Sequence, residues 1–249
     1  MTTLPILFED AEALVIDKPA GLPIDRPRAG GTSLENYLDT LRLGFQRLPL
    51  AVHRLDQDTS GCLLLARNAK AHRRFAAAFE ARLVEKVYLG VVAGPVADDA
   101  GTIALNLSKI SSAEKGWRMI PARAGKPAVT HWRVLDRKEG LTLVEFRPET
   151  GRTHQIRIHA LAGLGAALLG DPVYGSGVDA MRGARRTMLH AAALTVPREG
   201  KAPITANAPL PADFTALGFA EVLPEAPLEA PPEAQHEATP EGPPCPPTS

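Results

Sequence analysis

Five apolar residues, Cys62-Leu63-Leu64-Leu65-Ala66, follow directly on a polar stretch, His53-Arg54-Leu55-Asp56-Gln57-Asp58-Thr59-Ser60-Gly61. The apolar run has the length and composition of a buried strand. Gly61 permits a sharp bend into that strand. A carboxylate in such a bend is placed by a rigid scaffold, which is what chemistry needs. For Asp58, Thr59 and Ser60 the simplest reading is a turn whose side chains bond nearby backbone N–H groups. Asp56 differs because His53 and Arg54 crowd it with donors, which suits a carboxylate that is to stay ionised.

The rest of the chain reads as strands with a few helices. Residues 4–8 and 13–17 suggest two short strands, and Lys18-Pro19-Ala20-Gly21 a turn. Lys18 is either a phosphate contact or a solvated lysine. Thr32-Ser33-Leu34-Glu35 has the form of a capping box, with Leu34, Leu38 and Leu41 at helical spacing after it. Asn68 is expected to cap a helix running to about Leu83, with Phe75, Phe79 and Leu83 on one face. Lys70, Arg73 and Arg74 on its other face read first as a solvated surface and second as a contact for a polyanionic backbone.

Residues 85–92 predict a strand with Lys86, Tyr88 and Gly90 on one side. Residues 127–136 and 141–147 predict an antiparallel pair joined at Arg137-Lys138-Glu139-Gly140. Before them, Lys109, Lys115, Arg118 and Arg123 lie in a segment with little apolar periodicity, read as a basic loop able to track phosphates. In Glu149-Thr150-Gly151-Arg152-Thr153-His154-Gln155-Ile156-Arg157-Ile158-His159-Ala160, Gly151 ends a strand and Thr153 is the expected cap of a helix running towards Gly163. His154 and His159 are five residues apart, about 140° around a helix, so they are poor joint metal ligands. Arg157 between them would repel a cation further, and no metal site is expected. Gly170-Asp171-Pro172-Val173-Tyr174-Gly175 reads as a turn, and 187–196 as a strand in which His190 is packing.

Charge divides the chain. Lys plus Arg and Asp plus Glu both number 28, but six glutamates and no Lys or Arg follow residue 220, leaving residues 1–220 at +6. A modestly basic body favours a polyanionic partner. Residues 221–249 hold nine prolines among those glutamates, a composition that cannot bury enough surface to order itself. The expected organisation is one folded domain over 1–220, which the resemblance given below makes the catalytic domain, and a disordered acidic, Pro-rich tail over 221–249. No apolar run has the length of a membrane span, the start is unlike a signal peptide, and two cysteines make no disulfide framework. The simplest expectation is a cytoplasmic monomer.

Three of these stretches resemble one family, the RluA-type RNA pseudouridine synthases. Its signature H-R-L-D-x-x-T-S-G is matched by residues 53–61, its K-x-Y by Lys86 to Tyr88, and its G-R-x-H-Q-I-R-x-H by residues 151–159. Lys18-Pro19-Ala20-Gly21, Gly170 to Gly175 and Leu189-His190-Ala191 are also similar to family segments. The resemblance implies an α+β fold: a mixed, largely antiparallel sheet with flanking helices and an RNA-binding cleft. It implies isomerisation of uridine to pseudouridine on a nucleotide flipped out of ribosomal or transfer RNA.

Asp56 would be the catalytic carboxylate, as nucleophile or base. Arg157 would pair with it, and Tyr88 would stack on the uracil and help move the C5 proton. His53, Arg54, Lys86, Arg152, His154 and Gln155 would hold the RNA or order the loop, Arg54 filling the space of the flipped base. Arg152, His154 and Gln155 equally suit hydrogen bonding at a helix start. No cofactor is signalled. With few residues before the first catalytic segments, recognition is expected to rest on the catalytic body and on a compact target such as a stem-loop. The competing readings are a non-catalytic RNA-binding protein of the same fold, and a carboxylate-dependent hydrolase. The first would not need Asp56, Tyr88 and Arg157 together; the second needs another carboxylate or a metal.

Overall fold

A computed structural model describes residues 3–112, 114, 116–138, 140–175 and 183–220. Residues 221–249, Lys115 and Glu139 lie outside the described residues, and with them the expected acidic tail and part of the expected basic loop.

The strands are β1 (Ile6–Glu9), β2 (Ala13–Lys18), β3 (Leu50–Ala51), β4 (Ser60–Ala66), β5 (Glu85–Ala93), β6 (Ala100–Ser112), β7 (Gly116–Pro121), β8 (Lys126–Lys138), β9 (Leu141–Pro148), β10 (Leu189–Val196) and β11 (Ile204–Asn207). They join one sheet in the order β1-β2-β4-β10-β5-β9-β8-β6-β7, with β3 on β4 and β11 on β10. The pair β4–β10 is parallel and every other pairing is antiparallel. This is the mixed α+β sheet that the family resemblance implies.

β4 is buried at all seven positions, as its unbroken apolar run requires. Cys62, Leu64 and Ala66 pack with Phe75 of helix α1 (Ala69–Glu80), whereas Leu63 and Leu65 pack on the other face with Leu34, Leu41 and Leu55. Tyr88 packs against this second cluster and also against the one built on helix α2 (Gln155–Leu164). The two clusters therefore share a face, and the seam between them lies over the middle of the sheet. A last short helix, α3 (Ala212–Ala216), covers the opposite face through Phe214.

Several local expectations change. The segment after Thr32 forms two short 3-10 helices, Leu34–Tyr37 and Thr40–Arg42, and it is Asn36 rather than Glu35 whose side chain accepts the Ser33 N–H, at 2.9 Å. Asn68 does cap α1 through the Ala71 N–H at 2.8 Å, but the helix stops at Glu80, Arg82 is left-handed, and Leu83 is 60% exposed. The expected basic loop is an antiparallel ribbon, β6 with β7, in which Lys109 faces Met119 and Ile110 faces Arg118. Its polar outer edge hid the strand period. α2 begins one residue later than Thr153 suggested, with His154 at its N-terminal boundary in the left-handed region, φ 53°.

Candidate active site

The bend before β4 is held by backbone and by two cations, Lys18 and Arg186. The Thr59 N–H closes it on the Asp56 carbonyl at 3.1 Å. Gly61 has φ 103°, and a Cβ there would stand 2.2 Å from the Ala191 carbonyl oxygen of β10, so the parallel strands approach too closely for a side chain. Lys18 is fully buried and donates to the carbonyls of Pro19, Leu22 and Gln57 at 2.8–2.9 Å. Burial pushes its pKa down to about 8. Neither the phosphate contact nor the solvated lysine applies; Lys18 fastens the loop that carries Asp56. Arg186 does the same from the far side, donating to the Asp58 and Leu189 carbonyls at 3.0 Å while Asp213 grips its other edge at 2.6 and 3.0 Å.

Asp56 emerges from this loop with about a quarter of its side chain exposed, 26%. Its Oδ2 lies 3.3 Å from Arg157 Nη1 and 3.9 Å from His154 Nε2. Arg157 is held more tightly by Asp171, whose two oxygens accept from Nε and Nη2 at 2.7 Å each. Burial alone would lower the Arg157 pKa, but the two carboxylates outweigh it and raise it. His154 shares a hydrogen bond with the Tyr174 hydroxyl at 2.9 Å, and Trp117 of the ribbon stacks on its ring at 4.8 Å. Burial lowers the His154 pKa, so the ring is neutral near pH 7.

Asp56, His154 and Arg157 line one open pocket of about 130 Å3 together with Arg54, Lys86, Tyr88, Arg152 and Gln155. Eight of the nine residues singled out from sequence thus meet in one place. His53 does not line it: its Nε2 accepts the Leu64 N–H at 3.0 Å, and its ring stacks on Phe79 of α1 at 4.7 Å. Its neighbours make it a brace between β4 and α1, beside the pocket rather than in its lining. Gln155 borders the pocket but is buried, tied to Thr130, the Val129 carbonyl, Thr150 and the Arg152 N–H at 2.8–2.9 Å. Its geometry is that of a helix-start anchor.

Tyr88 sits deep, and burial raises its pKa, so it is a phenol at neutral pH. Lys86 has no hydrogen-bonding acceptor among the described residues, and burial brings its pKa down to about 8. His190 is packing, as expected: it bonds Ser60 Oγ at 2.9 Å and burial lowers it to about 4. His159 is buried against Thr130 at 2.9 Å, away from His154. Asp171, Tyr174, Arg186 and Trp117 were not singled out. The signal for the first two is the turn 170–175, which is similar to a family segment.

The model of the RNA pseudouridylate synthase family matches residues 12–162, which include the bend, the Lys86-to-Tyr88 strand and the start of α2. That match covers most of the folded body. The chain belongs to the RluA-type RNA pseudouridine synthases. An uncharacterized RNA pseudouridine synthase of Zymomonas mobilis is 56% identical over 214 residues, 86% of this chain and 97% of that protein. The ribosomal large subunit pseudouridine synthase D of Xanthomonas campestris is 38% identical over 231 residues, 86% of this chain and 68% of that protein. Among solved structures, human RNA pseudouridylate synthase domain containing 1 superposes with a TM-score of 0.71 at 28% identity, covering 84% of each chain. The reaction of this synthase is the isomerisation of uridine to pseudouridine within RNA.

Proposed function

We propose that Asp56 is the catalytic carboxylate of this synthase and that its substrate is ribosomal RNA. One observation carries the first part: Asp56, Tyr88 and Arg157, from three distant stretches of chain, converge on one pocket. A flipped nucleotide enters with its sugar at Asp56. The N1–C1′ bond breaks, the uracil turns, and C5 bonds to C1′; C5 loses a proton and N1 gains one, so the product is an isomer. Asp56 serves the sugar or base as a negatively charged nucleophile or base, and Arg157 orients it. Tyr88, held as a phenol, offers its ring face to the uracil and its O–H to the proton transfer. Lys86, Arg54 and Arg152 supply positive charge for the phosphates on either side of the flipped nucleotide.

The ribosomal reading draws support from relatives such as the Xanthomonas protein, named for the large ribosomal subunit, with transfer RNA as the alternative target. The test is pseudouridine mapping of total RNA from the wild type, a deletion strain, and the deletion strain carrying Asp56→Ala. Loss of one or a few ribosomal sites in the deletion, restored by the wild-type gene and not by Asp56→Ala, is the expected result. Restoration by Asp56→Ala rejects the catalytic assignment; loss of transfer RNA sites instead rejects the substrate.

A further inference from the structure

The geometry points to the turn 170–175 as a two-armed clamp on the reacting carboxylate: we propose that Asp171 and Tyr174 are positioning residues that set Arg157 and His154, respectively, towards Oδ2 of Asp56. The inference rests on Asp56 being the catalytic carboxylate.

The first arm is an ion pair whose lengths are unequal. Asp171 meets Arg157 twice at 2.7 Å, whereas Asp56 meets it once at 3.3 Å. Asp171 is itself fixed, because its Oδ1 also accepts the N–H groups of Val173 and Tyr174 at 2.9 and 3.0 Å. A guanidinium is a planar fork, so gripping its Nε–Nη2 edge determines where Nη1 points. Nη1 points at Asp56. The division of labour also solves a charge problem. If Asp56 moves or changes charge as it reacts, a buried arginine paired with it alone would be stranded, at high cost. Here Arg157, 8% exposed at its side chain, remains paired with a fully buried carboxylate throughout.

The second arm is Tyr174. Its oxygen accepts the Met119 N–H at 2.9 Å, which leaves its own proton for His154 Nδ1, also at 2.9 Å. In a neutral ring that assignment puts the remaining proton on Nε2, the nitrogen that faces Asp56 at 3.9 Å. The Tyr174 ring also lies 5.0 Å from the Arg157 guanidinium and edge-on to His154 at 5.6 Å. One turn therefore touches both groups that approach Asp56, and no residue of that turn lines the pocket.

The test is single-turnover tritium release at saturating enzyme. The probe is total RNA from a strain lacking the gene, grown on [5-³H]uridine, so that every natural target is present. The variants are Asp56→Asn, Asp171→Asn, Tyr174→Phe, Arg157→Lys and His154→Gln, with RNA affinity and thermal melting measured alongside. Asp171→Asn is expected to slow release about 10- to 100-fold, and Tyr174→Phe about 10-fold, with RNA affinity changed less than about threefold. In the Arg157→Lys background Asp171→Asn is expected to add little, and Tyr174→Phe little in the His154→Gln background, since each acts through its partner.

Wild-type release by Asp171→Asn and Tyr174→Phe, with Asp56→Asn inactive, overturns the clamp and leaves the catalytic assignment standing. Full additivity in the double variants overturns it too. Release by Asp56→Asn removes the catalytic assignment instead. Should Asp171→Asn melt too early to assay, the Tyr174→Phe and His154→Gln pair decides by the same criterion.

Discussion

Lys18 donates to the Gln57 carbonyl at 2.9 Å, and Gln57 is the residue next to Asp56. The Gly21 N–H meets the same carbonyl at 3.0 Å, so the turn after β2 and the loop before β4 are held as one unit. A charge would not be buried there for its own stability. Its use is that three carbonyls converge on one point, and a single ammonium group donates to all three.

Replacing Lys18 by Met keeps an unbranched side chain one atom shorter and removes the donors. Stripped carbonyls in a buried site cost about 2–3 kcal/mol. Urea unfolding of Lys18→Met is expected to show a loss of that order with an unchanged slope, and activity to fall because Asp56 is less well placed. A variant as stable as the wild type would refute the fastening role.

Gly61 gives a second test of the same loop. Adding a methyl group forces a Cβ to within 2.2 Å of the Ala191 carbonyl oxygen and asks a side chain to accept φ 103°. Overpacking and backbone strain together put the loss at about 3 kcal/mol or more. Gly61→Ala is expected to melt well below the wild type, or not to fold; an unchanged melting temperature would show that β4 and β10 can separate freely.

Lys86 makes a pH-dependent contribution. Burial lowers its pKa to about 8, with Arg82 adding to that and Glu149 opposing it. The free protein therefore loses this proton as pH rises through about 8, while a bound phosphate would favour keeping it. Below that pH RNA binding needs no extra proton and is flat; above it binding must take one up, and affinity falls. Titration of RNA affinity from roughly pH 6.5 to 9.5 should show this decline in the wild type. Lys86→Arg, charged throughout, should remove the Lys86-linked part of it. Lys86→Met should bind more weakly at neutral pH and reduce the salt slope by about one. A wild-type decline left unchanged in both variants would mean that Lys86 does not meet phosphate.

Much of this site was legible because it is written in contiguous motifs. The bend and buried strand of residues 53–66 follow from a polar stretch, a glycine and an unbroken apolar run, and Gly61 is where the parallel strands require no side chain. The strand of Lys86 and Tyr88 shows the two-residue period of a sheet, which puts both on one side. The family signature in these stretches indicated which carboxylate to watch.

What the sequence determined by itself is local: which segments can be strands, where the chain must bend, and which side chains share a face. Those depend on near neighbours, and near neighbours are visible in a string. Tertiary structure decided what each charged side chain meets. Lys18 looked like a surface lysine and is buried on three carbonyls; His53 stands beside Asp56 in sequence yet braces β4 and α1; Asp171, 115 residues after Asp56, holds the arginine that reaches it. The ribbon of β6 and β7 likewise read as a basic loop until its pairing brought Trp117 onto His154. A charge declares only that it needs a partner. Which partner it finds depends on the strand order β4-β10-β5 that brings distant segments over one seam, and no local pattern encodes that order.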